Sequence, residues 1–198
     1  NYPAQTNRPI LCANGYDGVS YGTTGYLSNF RIVKGTAVYT TNFTPSTTPL
    51  TAVANTSLLT CQSNRLVDLS TNAYTMTKTG DVAVSAFDPF TPNTSYSTYG
   101  STYFDGTGDY LSVGDQTAFE FGSGDYTIEL WWFATTSADQ NLIGKWDGAG
   151  SEWVLQWRNA GYFRWAMGGN VISDATVSLP LNIWNHIVVS KSGTSLRI

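Results

Sequence analysis

Short runs of alternating apolar and polar residues follow one another along most of the chain. Segments such as FRIVKGTAVYT, DYTIELWWFA and SEWVLQWRN place every second side chain on one face. Gly, Pro, Asn and Asp separate these runs at intervals that are typical of hairpins, and almost nothing repeats with a helical period. The pattern predicts an antiparallel sandwich in which two sheets bury their apolar faces against each other.

The early part of the chain contains a predicted strand followed by a linker. Alternation places Phe30, Ile32 and, after a bend at Gly35, Val38 on inward positions. The polar segment NFTPSTTPLTAV then carries two prolines among Thr and Ser, which is typical of a linker. Further on, STYFDGTGDYLSV predicts two short strands joined by a tight, glycine-containing hairpin turn.

Composition narrows the possible partners. Charged residues make up only 12% of the chain and the formal net charge is −4, with no stretch that concentrates Lys or Arg. We therefore expect no nucleic-acid partner, and the absence of a long apolar run predicts no membrane insertion.

Cys12 and Cys61 are too few for a disulfide framework, and two buried thiols are favoured over a single bridge.

Three segments resemble a known superfamily. YFDGTGDYLSV, DYTIELWW and WNHIVVSKSGTSLRI are similar to the concanavalin A-like, laminin G-like jelly rolls of bacterial surface proteins and of phage tail or fibre proteins, particularly cyanophage ones. The resemblance implies a two-sheet jelly roll in a virion structural protein. It also implies a virion-surface or extracellular location.

The order of the motifs in this chain differs from the order that the resemblance implies. GYLSNFRIVKGTAVYT resembles the closing strands of such a domain, yet it comes first. Residues 1–49 are therefore interpreted as the last quarter of one domain with its exit linker, and residues 50–198 as the first three quarters of the next. This predicts one period of a tandem array. Alternatively, the two pieces complete a single domain by permutation or by strand donation between chains.

Catalysis is not expected. Related glucanases carry two acidic residues at alternate positions on one strand, one on each side of the scissile bond. The nearest acidic residues here are Glu120, Asp125 and Glu129, and their spacing does not place them together on one strand face. His186, beside Trp184 in a predicted strand, is interpreted as a packed structural residue.

Acidic residues in glycine-rich loops are candidates for Ca²⁺ binding, because relatives hold this ion through loop oxygens. Asp105, Asp109 and Asp147 are the candidate ligands. The competing interpretation of each is ordinary turn chemistry, since Asp favours such turns.

An aromatic cluster supplies the candidate glycan site. The candidates are Trp146, Trp153, Trp157, Arg158 and Tyr162. Sugar rings stack on exposed aromatic faces, and the neighbouring Gln156 and Arg164 could bond hydroxyl groups. The competing interpretation is that Trp153 and Trp157, which share one strand face, fill the core of the sandwich.

Together these features predict a non-enzymatic structural and adhesive module of a viral fibre, tail or virion surface, with host attachment through glycans. The expected partners are other copies of the chain, neighbouring virion proteins and a host-surface glycan. A purely structural decoration or filament subunit assembled by β-strand complementation is the alternative, followed by a glycoside hydrolase. The adhesive assignment depends on the resemblance, since a fold alone does not establish a function.

Overall fold

The computed structural model describes residues 8–13, 20–90, 99–145 and 152–198 of the chain. Over these residues the chain forms fourteen β-strands and one short 3₁₀ turn. No helix in the described ranges is long and apolar enough to cross a membrane. The all-β prediction is confirmed.

Loops of different lengths connect the fourteen strands. In chain order they are β1 (Ile10–Leu11), β2 (Thr24–Lys34), β3 (Thr56–Thr60), β4 (Met76–Thr79), β5 (Ala83–Ser85), β6 (Ser101–Asp105), β7 (Tyr110–Val113), β8 (Tyr126–Ala134), β9 (Gln140–Lys145), β10 (Trp153–Arg158), β11 (Tyr162–Met167), β12 (Asn170–Thr176), β13 (Trp184–Ser192) and β14 (Ser195–Arg197). The 3₁₀ turn is Thr117–Phe119, between β7 and β8.

Two antiparallel sheets make up the sandwich. The first sheet has the order β12-β11-β10-β9-β1-β7-β4, and the second has the order β14-β13-β8-β2-β6-β5, with β3 also paired to β2. Strands β9 to β12 form consecutive antiparallel pairs, as their hairpin spacing predicted.

Strand β2 is divided between two neighbours on one side. Its residues 24–27 pair with β6, residues 30–33 pair with β3, and β8 runs along the other side of both parts. The register with β8 shifts between Ser28 and Arg31, and Asn29 has a left-handed φ of 52°. This irregularity is a β-bulge, and it lets one strand change partner without leaving the sheet.

Alternation along the strands fills the core. In β8, the side chains of Tyr126, Ile128, Leu130 and Trp132 are buried between the sheets. Phe30 and Ile32 of β2 lie there too, as predicted. Large buried rings dominate this core because a two-sheet sandwich leaves a layer about 10 Å thick to fill.

The prediction that Val38 points into the core is wrong, because this residue lies outside the core. The chain bends at Gly35, where φ is 85°, and crosses the outer face of the second sheet. Three hydrogen bonds hold it on this face. The Val38 N–H donates to Thr127 Oγ1 at 2.8 Å, and Ser190 Oγ donates to the Tyr39 carbonyl at 2.8 Å. Further along, the Leu50 N–H donates to Asn29 Oδ1 at 2.7 Å. We call residues 36–51 the covering segment.

The predicted hairpin between β6 and β7 is also wrong. Strand β6 pairs with β2 and β5 in the second sheet, whereas β7 pairs with β1 and β4 in the first. The turn, with positive φ at Gly106 and Gly108, therefore carries the chain from one sheet to the other. Alternation marks each strand, but it does not say which neighbour completes the hydrogen bonds.

The described part of residues 1–49 contributes to the same sandwich as the other described residues. Strand β2 lies in the middle of the second sheet, between β8 and β6. The interpretation that residues 1–49 close one domain of a tandem array stays a prediction.

The two cysteines are both buried and free, and burial raises the pKa of the Cys61 thiol to about 11.

Candidate functional site

The solvent-facing side of the first sheet contains a shallow cavity. Its volume is ≈ 310 Å³, and its walls come from β9, β10, β11 and β12 together with the loop before β2. The polar and aromatic lining residues are Tyr21, Asn141, Gln156, Arg158 and Arg164. A concave surface that combines an aromatic ring with several hydrogen-bonding groups is the usual form of a small-ligand site.

Tyr21 is the exposed aromatic group of this cavity. Its side chain is 46% exposed, and its backbone has a left-handed φ of 57°, which is uncommon for a residue with a side chain. The carbonyl of Tyr21 accepts a hydrogen bond from the Asn141 N–H at 2.8 Å, which fixes the loop against β9. Strained backbone that is held in this way is often found at functional sites.

The polar side chains of the cavity are held by one another. Gln156 Nε2 donates to Asn141 Oδ1 at 2.7 Å, and the Arg158 guanidinium lies 5.6 Å from the Tyr21 ring centroid. Arg158 also forms an ion pair of 2.9 Å with Asp139. These contacts reduce the rotamer freedom that the side chains would otherwise lose on binding a ligand.

Arg164 forms a bidentate pair at the edge of the cavity. Its Nε and Nη2 atoms each donate to one carboxylate oxygen of Asp174 at 3.0 Å, and Nη2 also donates to the Tyr162 hydroxyl at 3.1 Å. The hydrogen bond from Arg164 lowers the pKa of Asp174, and the same bond raises the pKa of Arg164. Both groups are therefore charged at neutral pH.

Two of the predicted glycan-binding residues do not face this cavity. Trp153 and Trp157 point into the core, where Trp153 Nε1 donates to the Phe119 carbonyl at 2.8 Å and Trp157 packs against Phe163 with ring centroids 5.0 Å apart. Their faces are not available to a sugar ring. This corrects their assignment, because alternation in β10 turns both indoles inward and Gln156 and Arg158 outward.

The other candidates divide into two groups. Arg158 lines the cavity, and Tyr162 lies beside it through Arg164, whose guanidinium is 5.2 Å from the Tyr162 ring centroid. Trp146 lies outside the described residues. Tyr21 was missed, because an isolated Tyr in a loop far along the chain from β10 gives no sign in the sequence that it meets this strand.

A cluster of acidic side chains lies where the β4–β5 turn meets the β6–β7 turn. Asp81, Asp105 and Asp109 each place a carboxylate oxygen within 4.8 Å of the others. Asp109 is buried and accepts hydrogen bonds from the N–H groups of Asp81 at 2.8 Å and Asp105 at 3.1 Å. Burial raises the pKa of Asp109, and the nearby charge of Asp105 adds to the effect.

The donor set of this cluster fits a hard divalent cation. Three carboxylates supply oxygen ligands of the kind that Ca²⁺ prefers, and a cation would stabilise the charged form of Asp109, whose pKa is raised chiefly by burial. The cluster contains the predicted ligands Asp105 and Asp109 and adds Asp81, which the sequence did not indicate. Asp147 lies outside the described residues. The Ca²⁺ assignment stays a prediction.

Residues 105–198 match the Laminin_G_3 family model of the concanavalin A-like lectin/glucanases superfamily. The matched part runs from the β6–β7 turn to β14 and so contains most of the candidate cavity. No curated protein and no solved structure gives a significant match to the chain.

The two antiparallel sheets and the laminin G-like match together confirm the concanavalin A-like jelly roll. The match does not address a viral source, so the phage resemblance stays a prediction. Superfamilies of this kind contain both lectins and glucanases, which makes the positions of the acidic side chains important.

Glu129 is the most enclosed of the acidic candidates. It lies on the outer face of β8 beneath the covering segment, where Arg31 Nε donates to it at 2.7 Å and the Tyr39 hydroxyl donates at 2.7 Å. His186 Nε2 lies 3.4 Å from Glu129 Oε2, the same oxygen that accepts the hydrogen bond from the Tyr39 hydroxyl. A carboxylate that is buried and occupied in this way cannot approach a glycosidic bond.

The other two acidic candidates are also engaged. Glu120 lies 3.6 Å from the Nζ of the buried Lys145, which Asp115 contacts at 2.9 Å. Asp125 accepts a hydrogen bond from the Gly193 N–H at 2.8 Å, which ties the β8 entry to the β13–β14 turn. Asp125 therefore has a structural role in the sandwich, whereas the carboxylate of Glu120 is 54% exposed beside Lys145.

Proposed function

We propose that the chain is a non-enzymatic carbohydrate-binding module and that sugars bind in the cavity of the first sheet. The observation that carries this proposal is the combination of the exposed Tyr21 ring with Gln156, Arg158 and Arg164 on one outer sheet face. The aromatic face stacks on a sugar ring, and the amide and guanidinium groups bond its hydroxyls. The laminin G-like match supports this reading, because its superfamily includes lectins.

The proposed biological role is adhesion at a viral fibre, tail or virion surface, with a host-surface glycan as the ligand and neighbouring virion proteins as partners. The low charge of the chain and its polar, uncharged composition suit a repeated extracellular module. The resemblance of its motifs to phage tail and fibre proteins supports this context.

Binding is tested with immobilised glycans, followed by calorimetry on the saccharides that bind. We expect Tyr21→Ala to weaken binding by roughly tenfold to a hundredfold, since one stacked aromatic ring contributes about 1–3 kcal/mol to comparable ring-stacking contacts. Phe43→Ala is the matched control. That side chain is 42% exposed but belongs to the covering segment on the other sheet.

Equal binding by the wild type, Tyr21→Ala and Phe43→Ala would show that the sugar site lies elsewhere. A chain that binds no glycan at all would favour the purely structural role. Hydrolysis of a bound saccharide would contradict the non-enzymatic assignment.

A further inference from the structure

Both positive charges of the cavity in the first sheet are neutralised by neighbouring carboxylates. The charged groups among its described lining residues are Arg158 and Arg164. Arg158 Nη2 lies 2.9 Å from Asp139 Oδ2, and Arg164 donates to both carboxylate oxygens of Asp174 at 3.0 Å. Two arginines and two aspartates leave this part of the surface with no net charge.

The strand register places four polar side chains in one row across the first sheet. Gln156 of β10 is paired with Asn141 of β9 on one side and with Arg164 of β11 on the other. Arg164 is paired in turn with Asp174 of β12. Neighbouring strands lie about 4.8 Å apart, so the row extends over roughly 14 Å.

The groups of this row that remain open to a ligand suit hydroxyl groups. Within the described part of the chain, the hydrogen bonds of Arg164 use Nε and Nη2 and leave the Nη1 donors available. Gln156 donates from Nε2 to Asn141, which leaves its Oε1 as an acceptor. A hydroxyl both donates and accepts, so a sugar can bond these groups without separating either ion pair.

Two arginines in a cavity would by themselves indicate an acidic ligand, because a guanidinium binds a carboxylate or sulfate through two parallel N–H bonds. Here Asp174 already occupies these donors of Arg164. An anionic ligand would have to displace Asp174 or lie beside its like charge, and both disfavour binding. The formal net charge of −4 on the chain adds to this repulsion.

We propose that the cavity selects neutral saccharides, and that Asp139 and Asp174 determine this selectivity by neutralising its two arginines. The inference rests on the proposed function, because it names the class of ligand for the same site. Neither aspartate is among the described lining residues, so each is a positioning residue that acts through its arginine.

The test compares saccharides that differ in charge and little else. Glycan arrays that carry the same cores in neutral, uronic acid and sulfated forms identify the binders, and calorimetry then measures each uronic acid form beside its methyl ester. The ester keeps the sugar ring and removes the negative charge. We expect the wild type to bind the ester at least about tenfold more tightly than the acid.

The salt dependence of binding gives a second measurement. Raising the NaCl concentration from about 50 mM to about 500 mM should change the dissociation constant of a neutral saccharide by less than about twofold, because no net charge is neutralised on binding. A steep weakening with salt would contradict the charge balance described here.

Two variants release one arginine each. Asp174→Asn frees Arg164, and Asp139→Asn frees Arg158. Each should reduce the preference for the ester over the acid by about tenfold or more, because an unpaired guanidinium then faces the ligand.

Glu120→Gln is the matched control for both variants. It removes one negative charge from a carboxylate that is 54% exposed and is not among the described lining residues. We expect it to leave the preference for the ester unchanged. Near-UV circular dichroism shows whether each variant keeps its tertiary packing, and a ratio of two dissociation constants of one variant does not depend on the fraction that is folded.

A wild type that binds the uronic acid form as tightly as its methyl ester overturns this inference and leaves the proposed function standing. An unchanged ratio in folded Asp174→Asn and Asp139→Asn has the same meaning. Absence of binding to every glycan, neutral or acidic, overturns the proposed function and this inference together.

Discussion

At the scale of single residues, the buried pair of Arg31 and Glu129 is the most consequential polar contact. Glu129 is fully enclosed on the outer face of the second sheet, and Arg31 further donates from Nη1 to the Thr51 carbonyl at 2.7 Å. The pair thus joins β2 and β8 to the covering segment. Breaking a buried pair by removing one partner leaves an uncompensated charge, which costs more than the pair contributes.

We predict that Glu129→Gln lowers the free energy of unfolding by about 3–5 kcal/mol, because Arg31 is left buried without a counterion. Glu120→Gln is the control, since its carboxylate is 54% exposed and Lys145 keeps its closer contact with Asp115 at 2.9 Å, so we expect a loss of about 1 kcal/mol or less. Denaturant titration measures both variants. Equal losses would show that the buried pair has no special weight.

At the scale of elements, the contact between β2 and β8 depends on a close backbone approach. Gly25 has φ of 126°, and a Cβ atom placed on it would lie 2.1 Å from the Phe133 carbonyl oxygen. Neither backbone can move without breaking the pairing of Gly25 with Ala134. A side chain is therefore excluded by space as well as by conformation.

Gly25→Ala is expected to destabilise the fold by ~3 kcal/mol or more, as measured by thermal and denaturant unfolding. Gly35→Ala provides the comparison. Its φ is 85° but a Cβ there meets nothing within 4 Å, so only the conformational cost of about 1–2 kcal/mol applies. Similar losses in both variants would contradict the steric explanation.

The turns that hold Asp81, Asp105 and Asp109 carry a further prediction at this scale. If they bind Ca²⁺, the melting temperature rises with calcium concentration, because the ion binds the folded chain more tightly than the unfolded chain. Asp81→Asn should reduce this rise, whereas Glu120→Gln should not. A melting temperature that does not respond to Ca²⁺ or to a chelator rejects the site.

At the scale of the whole molecule, stability should depend on pH through Glu129. Burial, the largest influence, would raise its pKa, but the adjacent His186 imidazole, the charge of Arg31 and the hydrogen bonds from Arg31 and Tyr39 together outweigh burial and lower the pKa below its ordinary value of 4.5. Because the pKa of Glu129 is lower in the folded chain, Glu129 of the unfolded chain binds its proton at a higher pH. The contribution of Glu129 to the free energy of unfolding is therefore complete above its ordinary pKa, and it is lost as the pH falls through its pKa in the folded chain.

Acid titrations of unfolding free energy between pH 7 and pH 2 check this dependence. The wild type should lose stability below about pH 4.5, and Glu129→Gln, which starts lower, should show a shallower decline over the same range. Parallel curves for the two proteins would mean that other carboxylates govern acid unfolding.

Much of the fold was predictable because burial follows the period of the strand. Alternation placed Phe30 and Ile32 in the core, predicted the run of hairpins from β9 to β12, and supported the jelly roll that the motifs resembled. It also allowed Trp153 and Trp157 to be core residues. The choice between core and surface depended on which face of β10 meets the other sheet, which the spacing of the residues leaves open.

The sequence by itself determined the all-β class of the fold, since short alternating runs between turn residues form strands that bury one face. It also determined that Asp105 and Asp109 lie in one turn. Only the tertiary structure decided that Tyr21 meets β10, that Asp81 joins the acidic turn, and that β6 and β7 belong to different sheets. Those contacts join residues far apart along the chain, and pairing between distant strands is set by packing of the whole sandwich.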